Sequence, residues 1–146
     1  MSTPAETGVQ LIKTNKDMSI NPRVLYKETI GSLMYMATAT QPDIMFAVLA
    51  LAQFAQDPAK MHWEAAKRVI RYLKGMRDLE LTYGAASTGI VGYTDADHAS
   101  QYHCHSILGY TFLINGGTVS WSSKKKSIVA LSMTEVEYMA ATHATK

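Results

Sequence analysis

The chain has 146 residues, enough for one ordinary domain or for two small units. Hydrophobic residues make up 47% of it and charged residues 18%, a balance typical of globular proteins that argues against disorder. The net charge of +2 is too small to indicate nucleic-acid binding by itself, and a single cysteine excludes an internal disulfide.

The N-terminal region is polar and aperiodic over residues 1–22 and predicts an extended arm. It carries neither a basic leader nor an apolar run, so we expect no signal peptide and an intracellular protein, in the cytoplasm or nucleus. The most apolar stretch, residues 43–55, is shorter than the ~20 residues that a spanning helix needs. No membrane partner is therefore expected.

Three helices are predicted after the arm. The first begins at Arg23 and has one apolar stripe at helical spacing: Tyr26, Ile30, Leu33, Met34 and Ala37. The second follows Pro42, runs to about residue 55, and is apolar on nearly every face, which favours a central position. The third covers about residues 59–75 and is expected to turn four side chains inward: Trp63, Ala66, Ile70 and Leu73.

The third helix also carries a basic ridge. Lys67, Arg71 and Lys74 are spaced i, i+4 and i+7, on the face away from the predicted inward side chains. Such a ridge can follow a phosphate backbone, and it can equally be a solvated helix face. The spacing alone leaves both interpretations open.

The second half of the chain has strand composition. Strand candidates cover residues 79–83, 90–94, 108–114 and 118–121, with a further one at 128–131. Asn115-Gly116-Gly117 between the third and fourth favours a hairpin, because these residues tolerate positive φ. Lys124–Lys126 are expected in a solubilising loop after it. With a last helix from about Ser132, the predicted fold class is α+β.

Two segments carry candidate site acids. Asp95, expected at the end of its strand, and Asp97 flank Ala96 and would share one face, although Asp is also common where a strand enters a polar loop. In the last helix, Ser132 and Glu135 fit a capping box, which leaves Glu137 unexplained by capping. Ionised carboxylates suit hard divalent cations, so Asp95 and Glu137 are the candidate pair.

Four residues between the strands resemble metal ligands by type only. They are His98, His103, Cys104 and His105. Their spacing fits no structural zinc pattern, because the single thiol is directly adjacent to histidines. A polar loop is therefore the preferred interpretation.

Five motifs occur in order along the chain, at residues 25–35, 40–44, 62–75, 92–97 and 132–141. With them the chain closely resembles the Pol polyprotein of copia-type LTR retrotransposons, from about residue 3 to residue 143. The matching part is the end of the reverse transcriptase and the start of its RNase H domain.

The resemblance implies a thumb- or connection-like helical segment at 23–76 and a partial RNase H-like domain at 77–146, with three antiparallel strands and one helix. Asp95 and Glu137 match the family's catalytic and metal-binding acids, with Asp97 as a further candidate ligand. The implied chemistry is cleavage of the RNA strand of an RNA–DNA hybrid with two Mg²⁺ (or Mn²⁺) ions. Lys67, Arg71 and Lys74 become a candidate nucleic-acid face.

Some of the family's pattern is missing. The polymerase Tyr-x-Asp-Asp motif is absent, and the remaining RNase H acids are expected beyond Lys146, so we expect weak metal binding and an incomplete catalytic set. The expected partners are a hybrid or template–primer duplex, the rest of the Pol polyprotein, and a second copy through an exposed strand edge. The alternative function is a transposon-derived module that binds without catalysis.

Overall fold

A computed structural model describes residues 3–5, 11–12, 23–80, 82–84, 89–97, 107–125 and 132–145. The chain divides into two compact units, Met1–Leu79 and Glu80–Lys146. The first is helical and the second contains a sheet and a helix, so the α+β class is confirmed. The assignment of these units to a thumb-like segment and a partial RNase H domain stays a prediction.

The first unit contains three helices and a short 3₁₀ turn. Helix α1 spans Arg23–Ala39, the 3₁₀ turn spans Pro42–Ile44, α2 spans Met45–Ala52 and α3 spans Lys60–Gly75. Pro42 opens the turn, where its missing N–H is harmless because the first amides of a helix have no partner within it.

The predicted stripe of α1 forms the core of this unit. Its residues are buried except Met34, which is half-buried, and they pack with the inner side of α2. The Tyr26 hydroxyl donates a hydrogen bond to the Leu51 carbonyl at 2.9 Å, and burial raises the pKa of this phenol well above its usual value. The predicted central position of α2 holds for one face only, because Phe46 is exposed.

The inward face of α3 differs from the prediction. Its buried residues are His62, Ala66, Val69 and Tyr72, while Ile70 is 44% exposed. The prediction of an inward Ile70 was therefore wrong. The buried face of α3 includes the polar residue His62, and this orientation of the helix leaves Ile70 on the exposed side. Tyr72 connects α3 to the 3₁₀ turn through a hydrogen bond with Asp43. Burial, and then this hydrogen bond, raise the pKa of Tyr72 to about 12.

The second unit is a three-stranded antiparallel sheet with the order β1-β2-β3, and one helix. Strand β1 spans Ile90–Asp97, β2 spans Ile107–Ile114, β3 spans Gly117–Lys125, and α4 spans Met133–Ala144. The predicted hairpin joins β2 to β3, with Asn115 at φ +50° and Gly116 at φ +79°. These positive angles are the reason that the turn needs Asn and Gly.

Two strand predictions were wrong, and a third is untested. The described residues from 79 to 83 form no strand; instead the Tyr83 ring lies against Gly117, and its hydroxyl donates to the Thr118 carbonyl at 3.1 Å. Strand β3 is longer than predicted and contains Lys124 and Lys125. The candidate strand at 128–131 lies outside the described residues.

A small core holds α4 against the sheet. Leu108, Val136 and Ala140 are buried there, with Ala96 and Met139 packed beside them. The Ser132 hydroxyl accepts a hydrogen bond from the Glu135 amide at 3.2 Å, so the Ser132 half of the predicted capping box is confirmed. No helix among the described residues has the length and apolarity needed to cross a membrane.

Candidate nucleic-acid interface and candidate acidic site

The predicted ridge lies on the outward side of α3. Arg71 and Lys74 are exposed and Lys67 is half-buried, whereas Ala66 and Val69 on the other side are buried. The ridge lies on the outer side because the apolar face of the helix packs on α1 and α2. The geometry brings the three predicted cations onto one accessible surface.

An acid that the sequence analysis did not consider lies on the same surface. The Lys67 ammonium donates a hydrogen bond to Glu64 Oε1 at 2.6 Å, in an ion pair spaced i, i+3. The hydrogen bond from Lys67 lowers the pKa of Glu64, and the nearby charges of Lys60 and Arg71 add to that effect. Four cationic side chains therefore share this face of the helix with one carboxylate.

Sequence reasoning also missed His62, the buried polar residue of α3. Its Nδ1 accepts a hydrogen bond from the Ala59 amide at 2.8 Å, which leaves Nε2–H to donate to the Ile12 carbonyl at 3.1 Å. The ring stacks on Phe54 with centroids 4.0 Å apart, and burial lowers its pKa. Its place as third residue of α3, where a side chain can reach back to the capping residue, was the available signal.

Asp95 lies inside strand β1, two residues before its end, and not at the end as predicted. It is exposed, it pairs with Gly109, and its Oδ1 accepts a hydrogen bond from the Ala96 amide at 2.8 Å. Ala96 packs toward α4, and neighbouring strand residues point to opposite faces. Asp95 therefore leaves the strand on the face opposite α4. The side chain of Asp97 lies outside the described residues.

Glu137 lies on α4, directly after the buried Val136, and is exposed. Its helix packs on β1 and β2, but on the face that carries Ala96, Leu108 and the aromatic ring of Tyr110, which contacts His143. Because Asp95 lies on the opposite face of the sheet, this packing gives no support to the predicted convergence of Asp95 with Glu137. The convergence stays a prediction.

A metal ion needs more ligands than one carboxylate pair. Within the ranges that the structure describes, no three residues among His, Cys, Asp and Glu form a group that could hold a metal ion. The residues that were compared with zinc ligands, at 98 and 103–105, lie outside those ranges. The described part of the chain thus does not form a self-contained metal site.

The fold and the surfaces define a class: an α+β chain of two units, with a cationic helix face on the first unit and dispersed carboxylates on the second. Several curated proteins are similar to it. It is 41% identical over its whole length to a retrovirus-related Pol polyprotein from transposon TNT 1-94 of Nicotiana tabacum. It is 38% identical over 94% of its length to a retrovirus-related Pol polyprotein from transposon RE2 of Arabidopsis thaliana.

The chain belongs to the Pol family of copia-type retrotransposons. It spans 11% of the tobacco polyprotein and 10% of the Arabidopsis one. A relative of similar length also exists: the secreted RxLR effector protein 161 of Plasmopara viticola is 48% identical over 84% of this chain and 88% of its own. No protein-family model and no solved structure matches the chain.

Proposed function

We propose that this chain is a nucleic-acid-binding segment of a copia-type Pol protein, and that α3 contacts the phosphate backbone of an RNA–DNA hybrid or template–primer duplex. The observation that supports this most directly is the accessible ridge of Lys67, Arg71 and Lys74, on a helix whose other side is buried. Membership of the Pol family provides the partner class. Cations on one rigid helix can neutralise successive phosphates and release their counterions.

The proposal for the second unit concerns the complete Pol protein. Asp95 and Glu137, with Asp97 as a further candidate ligand, are proposed to supply part of the RNase H-type set that uses Mg²⁺ or Mn²⁺. The described residues offer no group of three metal ligands. The missing acids are therefore proposed to come from other parts of the polyprotein, and binding of metal by this chain is proposed to be weak.

Binding is tested with a labelled hybrid and the whole chain. The Arg71→Gln/Lys74→Gln variant is expected to bind about tenfold more weakly than the wild type, because two phosphate contacts are lost. The matched control is Lys27→Gln/Lys124→Gln, which removes the same charge from exposed positions that are not part of α3. If both variants weaken hybrid binding equally, the loss reflects net charge alone, and the proposal that α3 forms the binding face is contradicted.

Catalysis is tested with the same hybrid in Mg²⁺ or Mn²⁺. We expect the chain to bind without cleavage, and we expect the longer Pol protein to lose cleavage in both Asp95→Asn and Glu137→Gln. Asp78→Asn, at an exposed acid of the first unit, serves as control and should retain cleavage. Cleavage by the longer protein that survives both site substitutions would refute their proposed roles.

A second candidate function rests on the Plasmopara relative. That protein is similar in length to this chain, and its name describes an effector and not a Pol polyprotein. The candidate is a transposon-derived module that binds nucleic acid or another protein and performs no chemistry. A homodimer would suit it, because β1 pairs only with β2 among the described strands and exposes Tyr93. A concentration-independent monomer in sedimentation would contradict the dimer.

A further inference from the structure

The cationic face of α3 is longer than the ridge identified from the sequence. Lys60, Lys67 and Lys74 recur every seven residues, which places them almost in line, about 10.5 Å apart along the helix. Arg71 lies between the last two, and Lys60, Arg71 and Lys74 are all exposed. The face therefore extends over the whole helix, from its first residue to its last turn.

One carboxylate interrupts this face. Glu64 lies one turn after Lys60 and three residues before Lys67. Its Oε1 forms an ion pair with the Lys67 ammonium at 2.6 Å. The side chains of Lys67 and Glu64 are 43% and 50% exposed, so water and an incoming anion reach both. The hydrogen bond from Lys67 is the main reason that the pKa of Glu64 is lowered. The positive charges of Lys60 and Arg71 lower it further.

We propose that Glu64 is the internal counter-anion of this face, and that a phosphate of the bound duplex displaces it from Lys67. The inference rests on the proposed function, since it presumes that α3 contacts nucleic acid. Glu64 then acts as an affinity-setting residue without contributing a contact of its own. It occupies one ammonium in the free protein and repels phosphates that approach the neighbouring cations.

The physical basis is competition between two anions for one cation. An exposed ion pair is weak, because water and salt screen it and two flexible side chains must be held in place. A phosphate on a duplex arrives together with its neighbours, so contacts at Lys60, Arg71 and Lys74 raise its effective concentration at Lys67. Removing the resident carboxylate should therefore increase binding, although it removes a contact of the folded protein.

The test is the affinity of the whole chain for a labelled RNA–DNA hybrid at several salt concentrations. Glu64→Gln is expected to bind about five- to tenfold more tightly, with a salt dependence steeper by about one unit in log–log slope. Glu28→Gln is the matched control, since it removes an exposed carboxylate from α1, and it should tighten binding by less than about twofold.

A double-mutant cycle separates competition from net charge. Lys67→Gln should weaken binding only slightly in the wild type, where Glu64 holds the ammonium, and by about fivefold in the Glu64→Gln background. Equal effects of Lys67→Gln in both backgrounds would overturn the inference, as would equal tightening by Glu64→Gln and Glu28→Gln.

The outcome also distinguishes the inference from the proposed function. If Arg71→Gln/Lys74→Gln weakens binding but Glu64→Gln leaves it unchanged, α3 binds the duplex and only the displacement idea fails. If neither variant changes binding, the nucleic-acid face itself is wrong. All three substituted residues are exposed, so an unchanged melting temperature is expected for each variant.

Discussion

The two units of this chain differ in how they bury apolar surface. In the helical unit, the helices bury several large apolar side chains, among them Tyr26, Leu33 and Leu51. In the sheet unit, the buried apolar residues described are Leu108, Val136 and Ala140, on the face where α4 packs. Several large side chains of the sheet unit, such as Tyr93 and Tyr138, remain mostly exposed. Among the described residues, the helical unit therefore has more buried apolar side chains than the sheet unit.

The largest expected effects come from truncating matched core leucines. Leu33 and Leu108 are each 2% exposed, one in each unit. Replacing either by Ala should lower the unfolding free energy of its own unit by about 3 kcal/mol, through lost burial and a cavity. Leu108→Ala should abolish cooperative unfolding of the sheet unit, because Leu108 is the largest of the three buried apolar side chains described there.

Hydrogen exchange read region by region checks this prediction. Leu33→Ala should reduce amide protection in α1–α3 and leave β2 and β3 unchanged, and Leu108→Ala should do the reverse. Leu25→Ala, at an exposed position of α1, is the control and should change little. Uniform loss of protection across both units would show that they unfold together and would contradict this prediction.

A buried hydroxyl offers a smaller test within the helical unit. Tyr26→Phe removes the hydrogen bond to the Leu51 carbonyl and should cost about 1.5 kcal/mol. Tyr35→Phe, at a side chain that is 74% exposed, should cost less than about 0.5 kcal/mol. Denaturant unfolding measures both, and equal costs would mean that the buried hydroxyl contributes nothing specific.

The N-cap of α4 gives the corresponding test in the sheet unit. Ser132→Ala removes the acceptor of the Glu135 amide and should cost about 1 kcal/mol. Faster exchange of that amide is the direct measurement. Thr142→Ala, whose hydroxyl only donates to the Tyr138 carbonyl within the helix, should leave the exchange rate unchanged. Similar rates in both variants would contradict the capping role.

The smallest predicted effect concerns pH. Burial lowers the pKa of His62 in the folded chain below its ordinary value of 6.5, so the unfolded state binds more protons as the solution becomes acidic. The helical unit should therefore lose stability as pH falls below about 6.5. In His62→Gln, melting temperatures should fall less between pH 7.5 and pH 5.0 than in the wild type. His143→Gln is the control, and an unchanged slope in His62→Gln would contradict the assignment.

The elements with strong local signals were predictable from the sequence. The stripe of α1 was recognised because it repeats at helical spacing, and the hairpin because Asn115 and Gly116 suit positive φ. The inward face of α3 was missed at Ile70, because periodicity alone does not reveal that His62 can be buried with both ring nitrogens hydrogen-bonded.

The candidate sites divide in the same way. The ridge on α3 depends only on helical spacing, so its residues could be named from the sequence. The relation of Asp95 to Glu137 depends on which face of β1 meets α4. That face is the one on which Ala96 packs against the cluster of Leu108, Val136 and Ala140. A shift of one residue moves a strand side chain to the opposite face, so spacing along the chain could not determine it.

The salt dependence of hybrid binding by the whole chain is the most direct test of a nucleic-acid interface on α3. If α3 contacts the phosphate backbone, the logarithm of the association constant should fall with the logarithm of salt concentration with a slope of about −3. The slope should become shallower by about two units in Arg71→Gln/Lys74→Gln. A slope near zero, or one that the double substitution leaves unchanged, would contradict the claim that this helix face binds nucleic acid.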